Sequence, residues 1–189
     1  MDSELPVSFA LALRLCVAGT FAWSAINKVL SPNRFVDAVR RYHLLPHGQG
    51  VERGVAYAIV ALETVTAVGL VIPDLVLAGC LTGLLLTVIF SAAVITNLMR
   101  GRQIPCGCFG DDPTPISAIT VVRLLLIAVA LGVLLALLPW GRGYPDDAEQ
   151  LLESILVAIA LTVAGSWVGR SMSMASVLEA HMAPPGGRS

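Results

Sequence analysis

Apolar residues occupy this chain in five long stretches separated by short polar breaks. A bilayer core of ~30 Å is crossed by about 20 apolar residues in a helix. Stretches of about that length lie at residues 7–30, 51–72, 75–99, 116–138 and 151–168. Pro73-Asp74 is a tight turn that folds the second stretch back onto the third, and Pro139 closes the fourth. The break after the first stretch has a different pattern. Ser31 and Pro32 read as N-cap and first helical residue. Phe35, Val39 and Tyr42 recur at spacings of four and three, while Arg34, Asp37, Arg40 and Arg41 take the opposite side. This predicts a short amphipathic helix over residues 32–43, lying on the membrane surface. Residues 171–189, with Pro184-Pro185-Gly186-Gly187, read as a flexible tail. The expected fold is all-α: one polytopic membrane domain over residues 1–170, its first four spans forming an antiparallel bundle and the fifth added at the C-terminal side.

Composition supports that reading. Hydrophobic residues make up 56% and charged residues 13%, with mean hydropathy +0.81, against about 25% charged in soluble domains. The net charge of -1 provides no basic patch for nucleic acid, and there is no P-loop, GxGxxG or C2H2 spacing. The opening Met-Asp-Ser-Glu-Leu-Pro lacks the basic region of a cleavable signal, so the first stretch is expected to stay as a membrane helix. Sidedness follows the Lys/Arg bias of short loops. Lys28, Arg34, Arg40, Arg41, Arg53, Arg100, Arg102, Arg170 and Arg188 fall on one side and only Arg142 on the other. The bias places the N-terminus outside the cell membrane. It places the C-terminus and the loop after the third span in the cytoplasm.

That loop carries the candidate chemistry: Pro105-Cys106-Gly107-Cys108-Phe109-Gly110. Two thiols one residue apart in a polar break suit thiol–disulfide exchange or soft-metal capture better than packing. Gly107 tolerates the backbone angles of a small, strained ring, and strained exposed disulfides are the exchange-competent ones. Pro105 stiffens the entry. Arg100 and Arg102 are close enough in sequence to stabilise a thiolate, whereas Asp111 and Asp112 oppose it. No histidine lies within the loop to complete a zinc site, which argues against structural zinc, and no bound cofactor is indicated. Cys16 and Cys80 sit inside the first and third spans, about 13 Å and 8 Å from their outer ends. They form a possible second thiol pair if those helices are neighbours, and otherwise small buried hydrophobes. Charges within spans face the bundle interior. Glu63 is expected to pair with Arg14 or Arg123, either as a structural ion pair or as a proton source for the dithiol. Lys28 is expected to snorkel to the headgroups. Thr64, Thr66 and Asn97 are expected to bond between helices.

These residues resemble a known family. Ala25-Ile26-Asn27-Lys28, the segment from Phe35 to Pro46, Glu63, the run from Arg100 to Gly110 and Arg123 are similar to the MauE/DoxX-like membrane proteins, and to the MauE branch most closely. The similarity covers roughly residues 8–138. It implies a DoxX-like four-helix bundle with one extra C-terminal helix and a role in redox biology. It also implies a thioredoxin-like partner and a link to maturation of the disulfide-rich methylamine dehydrogenase small subunit. The leading functional expectation is a polytopic membrane thiol–disulfide redox protein acting through Cys106 and Cys108, with thiol–disulfide oxidoreductase as its possible enzyme class. Two rivals use the same scaffold: a soft-metal transporter, and a non-catalytic assembly factor.

The topology has a direct test. A membrane-impermeant thiol reagent applied from the cytoplasm should label Cys106 and Cys108 in the reduced protein. Labelling confined to the outer side would reverse the orientation.

Overall fold

Two basic residues fall on the buried stripe of the first helix, and the bundle is organised around them. The computed structural model describes residues 4–43, 49–102, 104, 118–138, 148–149, 151–152 and 154–160. Helix α1 (Glu4–Leu30) buries Leu11, Arg14, Ala18, Phe21, Ala25 and Lys28. Those positions alternate in steps of three and four, the repeat of a helix seam. Helix α3 (Gln49–Val71) buries Ala56, Glu63, Thr66, Ala67 and Leu70 by the same periodicity. In α4 (Val76–Met99) the stripe is Val76, Cys80, Gly83, Thr87, Val94 and Asn97, and in α5 (Ala118–Leu137) it is Leu124, Leu131 and Leu134.

The four long helices close into an antiparallel ring. Helix α1 packs on α3, α3 on α4, α4 on α5, and α5 returns to α1, so α1 and α4 lie across the diagonal. All four are long and apolar enough to cross a membrane, over Ser8–Leu30, Gly50–Val71, Pro73–Met99 and Ile119–Leu137. Their outward faces are apolar too: Trp23 on α1 and Val122, Leu125, Leu126 and Val129 on α5 are exposed. A helix apolar all round suits a lipid surrounding. The central core is Val17, Phe21, Leu70, Val76, Cys80, Leu86 and Leu131.

The α3–α4 hairpin turns through a short 3-10 segment, Pro73–Leu75, where the sequence predicted a Pro-Asp turn. Just beyond it the helices touch backbone to backbone. A Cβ placed on Gly79 would lie 2.7 Å from the Gly69 carbonyl carbon and the Leu70 nitrogen. Small residues permit such close approach in a bilayer, where packing replaces the hydrophobic effect as the force between helices. One polar link joins the pair further along: Thr66 Oγ1 meets Thr82 Oγ1 at 3.0 Å and also donates to the Leu62 carbonyl. Of the three residues expected to bond between helices, Thr66 does so. Thr64 donates to Val60 and Asn97 to Ala93, both within their own helices, because a carbonyl one turn back is always in reach.

Helix α2 (Pro32–Arg41) is the predicted surface helix, two residues shorter at its end. Ser31 occupies the N-cap position without a side-chain cap bond. Val36 is buried, Phe35 is half-buried, and Asn33, Arg34, Asp37 and Arg41 are exposed. Arg40 ties α2 to α3 by an ion pair with Glu52, and also meets Asp37 at 3.3 Å. The hydrogen bond to Glu52 and the neighbouring carboxylates push the Arg40 guanidinium above its ordinary range. Residues 151–152 and 154–160 are helical. Ser154 and Ala158 are buried, and Ser154 Oγ donates to the Ser8 carbonyl at 3.4 Å, so this segment docks beside the start of α1. The rest of the expected fifth span, and the tail, lie outside the described residues.

The hairpin contact predicts a sharp sensitivity. Gly79→Ala inserts a methyl into backbone and should destabilise the protein by about 1–3 kcal/mol, the usual cost of overpacking. Thermal unfolding in detergent micelles checks this. Gly132→Ala, at an open position on α5, should leave the midpoint within about 0.5 kcal/mol of the parent.

Candidate functional site

The end of the bundle that carries the α1–α2–α3 connection and the α4–α5 loop holds a buried polar cluster. Its centre is Lys28, whose ammonium forms an ion pair with Glu63 Oε1. Ser24 completes the triangle: Lys28 Nζ donates to Ser24 Oγ at 2.8 Å, and Ser24 Oγ donates to Glu63 Oε1 at 3.0 Å. Lys28 and Ser24 are one turn apart on α1, so the two contacts follow from helix geometry. Lys28 and Glu63 are only 3% and 1% exposed. The Phe35 ring of α2 lies 5.0 Å from the ammonium and the Phe90 ring of α4 lies 5.3 Å from it, both within cation–π range of about 6 Å. Glu63 Oε2 is buried and accepts no hydrogen bond among the described residues.

This arrangement corrects two sequence expectations. Glu63 does face the interior and reaches a basic group, but that group is Lys28 rather than Arg14 or Arg123. Lys28 does not snorkel, because its place on the buried stripe points it at Glu63 before its stem could reach the headgroups. Arg14 works at the other end of the bundle. Its Nε donates to the Leu70 carbonyl at 2.9 Å and an Nη to the Val71 carbonyl at 3.0 Å. These are the open carbonyls at the C-terminus of α3, where a cation also meets the negative end of the helix dipole. Arg123 is half-buried on α5. Cys16 on α1 is half-buried and Cys80 on α4 is fully buried, and neither is in a disulfide.

The entry to the dithiol loop is built by the last turn of α4. The Arg102 N–H donates to the Asn97 carbonyl at 3.1 Å and the Gly101 N–H to the Leu98 carbonyl at 3.0 Å. This paired closure is a Schellman motif. Gly101 carries it at φ +65°, a left-handed angle that costs other residues about 1–2 kcal/mol. Two residues further on, Ile104 packs into a small apolar cluster with Tyr42 after α2, Phe90 and Val94 of α4, and Val121 and Leu124 of α5. Phe90 thus belongs to both groups, touching the Lys28 ammonium and the root of the loop. Pro105, Cys106, Gly107, Cys108, Phe109 and Gly110 themselves lie outside the described residues. What the fold supplies is the platform from which they leave. The residues that sequence reasoning did not single out are Ser24, Phe90 and the role of Lys28. Their signal was the seam spacing of Phe21, Ser24, Ala25 and Lys28 on α1 and of Phe90, Val94 and Asn97 on α4.

Comparison with known proteins adds an independent line. The family model described as methylamine utilisation protein MauE matches residues 6–139. The "Methylamine utilization protein MauE" of Paracoccus versutus is 36% identical over 174 residues, 88% of this chain and 92% of that protein. The protein of the same description from Paracoccus denitrificans is 36% identical over 125 residues, 65% of this chain and 66% of its own length. That from Methylophilus methylotrophus is 33% identical over 157 residues, 82% of this chain and 78% of that protein. No solved structure matches the chain.

The ion pair makes a quantitative prediction. Breaking a buried pair by removing one partner leaves an uncompensated charge and costs about 3–5 kcal/mol. Lys28→Met and Glu63→Leu should each destabilise the bundle by that order. The double variant should recover most of the loss, since two apolar side chains need no partner. Unfolding of the four proteins in a double-mutant cycle measures the coupling, and additive losses would contradict it.

Proposed function

This chain belongs to the MauE family, described as methylamine utilisation proteins, and from that premise we propose that it is a membrane thiol–disulfide exchange protein. Cys106 and Cys108 are the reacting pair, and a soluble thioredoxin-like protein is the partner. The observation that carries the reading is the Cys-Gly-Cys run itself, on a loop whose root is clamped to the end of a rigid bundle. A dithiol held at the membrane surface meets soluble proteins while remaining anchored. The CxC spacing lets one sulfur attack and the other resolve.

The exchange balances without a further reagent. One loop thiolate attacks a sulfur of the partner's disulfide; that S–S bond breaks, a mixed disulfide forms, and the partner's other sulfur leaves as thiolate and takes a proton. The second loop thiol, deprotonated, attacks the mixed disulfide and releases the partner's remaining thiolate. Two electrons and two protons pass from the loop to the partner, and the reverse sequence oxidises the loop's substrate. The relatives' descriptions name methylamine utilisation, and as beneficiary we propose the disulfide-rich methylamine dehydrogenase small subunit that the family resemblance implies.

Removing the resolving thiol should make the intermediate long-lived. Cys108→Ser, or the reciprocal Cys106→Ser, should accumulate a mixed disulfide with a thioredoxin-fold protein. Non-reducing gels would show it as a shifted band that disappears with reductant. If neither single variant traps a partner and the double serine variant still supports growth on methylamine, the chain acts as an anchor and the exchange reading fails.

A further inference from the structure

A groove runs beneath the surface helix where α1 ends. Lys28 and Val29 of α1, Phe35 and Val36 of α2, and Tyr57 and Val60 of α3 line it, and it encloses about 190 Å³. Lys28 and Val36 are buried, Phe35 and Val60 are half-buried, and Val29 and Tyr57 are exposed. The groove therefore deepens from a mouth at Val29 and Tyr57 to a floor at Lys28 and Val36. Its origin is the way α2 is attached. One end of α2 follows α1 through Ser31 and sets the Phe35 ring over the Lys28 ammonium. The other end is tied to the first turn of α3 by the Arg40–Glu52 ion pair. The groove is the space between these two fastenings. Its mouth is continuous with the apolar outer surface of the bundle, where Ile26 on α1 and Val65 and Val68 on α3 are exposed.

A groove that opens onto lipid is entered by hydrocarbon. Its size suits part of a chain rather than a whole enclosed molecule: small-molecule sites hold about 300–1,000 Å³, while about 150 Å³ takes a benzene-sized group. An acyl chain gains no hydrophobic energy by leaving the bilayer for a protein surface. Selectivity therefore has to come from the polar end of the lipid. Arg53 is exposed and stands one turn before Tyr57 on the same face of α3. It also falls in the first turn of the apolar segment that starts at Gly50, the level at which headgroups and basic side chains meet. The corner as a whole is basic, with Lys28, Arg34, Arg40, Arg41 and Arg53 against Asp37, Glu52 and Glu63. Arg40 is engaged by Glu52 and Asp37, and Lys28 by Glu63. We propose that this corner binds one anionic glycerophospholipid, with an acyl chain in the groove under α2 and the phosphate on Arg53. Lys28 stays paired with Glu63 and is not the partner of the headgroup. The lipid fills the space that the two fastenings of α2 leave, so α2 packs on a chain as well as on the bundle.

The test is native mass spectrometry of the full-length protein released from mild detergent, with phosphatidylglycerol and phosphatidylcholine of identical chains as probes. The wild type should retain one phosphatidylglycerol. Offered both lipids in equal amounts, it should favour phosphatidylglycerol about fivefold, which corresponds to the ~1 kcal/mol that one Lys or Arg contributes beside anionic lipid. Arg53→Gln should abolish that preference and still hold a lipid. Val60→Trp fills the groove and should lower retention about tenfold, since about ten carbon–carbon contacts are lost with the chain. Val65→Trp, at an exposed position of α3 away from the groove, should retain lipid as the wild type does. A wild type that holds no lipid overturns the proposal. So does equal retention of the two lipids, an unchanged preference in Arg53→Gln, or retention by Val60→Trp at the wild-type level. A co-purified quinone that Val60→Trp displaces would give the groove to another class of ligand and overturn it as well. If Val60→Trp does not fold, the lipid preference of the wild type and of Arg53→Gln decides the matter by itself.

Discussion

A lysine and a glutamate paired inside a four-helix membrane bundle govern how the other pieces fit. An unpaired charge at that depth is costly: insertion scales put it at about 3 kcal/mol, and other estimates run higher. The Lys28–Glu63 pair therefore fixes the register of α1 against α3, since a shift of either helix would strand one charge. Ser24 supplies the remaining bond that the geometry of α1 makes available. The Phe35 and Phe90 rings seal the ammonium and so bring α2 and α4 to the same point. One buried interaction thus gathers four of the five described long or surface helices around it.

The two ends of the bundle solve different problems. At one end, α3 and α4 meet so closely that only glycine fits at Gly79, and Arg14 occupies the carbonyls that α3 leaves open. That end is closely packed, with the helical segment at 154–160 docked on the start of α1. The other end carries the ion pair, the surface helix and the loop with the dithiol. There three buried polar atoms, Glu63 Oε2, Asn97 Oδ1 and Arg102 Nη1, have no hydrogen-bond partner among the described residues. Their grouping at the dithiol end is the feature that most distinguishes the two halves.

Phe90 links these groups physically. It lies against the Lys28 ammonium on one side and in the Ile104 cluster on the other, with Tyr42 from the surface helix in the same cluster. Phe90 also packs against the main core, so it joins the small cluster of Val94, Leu124, Ile104 and Tyr42 to the core from Val17 to Leu134.

The chain's apolar stretches and turn residues determined the number and bounds of the four described spans to within a few residues, because a bilayer demands a run of fixed length. The same pattern placed α2, whose alternation of Phe35, Val39 and Tyr42 with arginines admits one face in the membrane and one in water. The Cys106–Cys108 pair was also legible from sequence, as was the need for Glu63 to find a basic group inside. The choice of that group was not. Arg14, Lys28 and Arg123 are all cations within or beside apolar runs, and sequence distance says nothing about which lies opposite Glu63. Only the ring order of the helices decided it: the α1–α3 contact brings Lys28 to Glu63 and Arg14 to the end of α3, and it sets α1 and α4, with Cys16 and Cys80, on a diagonal. The same holds for the two arginines before the dithiol. Identical in charge and two residues apart, they are told apart by a turn that leaves one in water and buries part of the other.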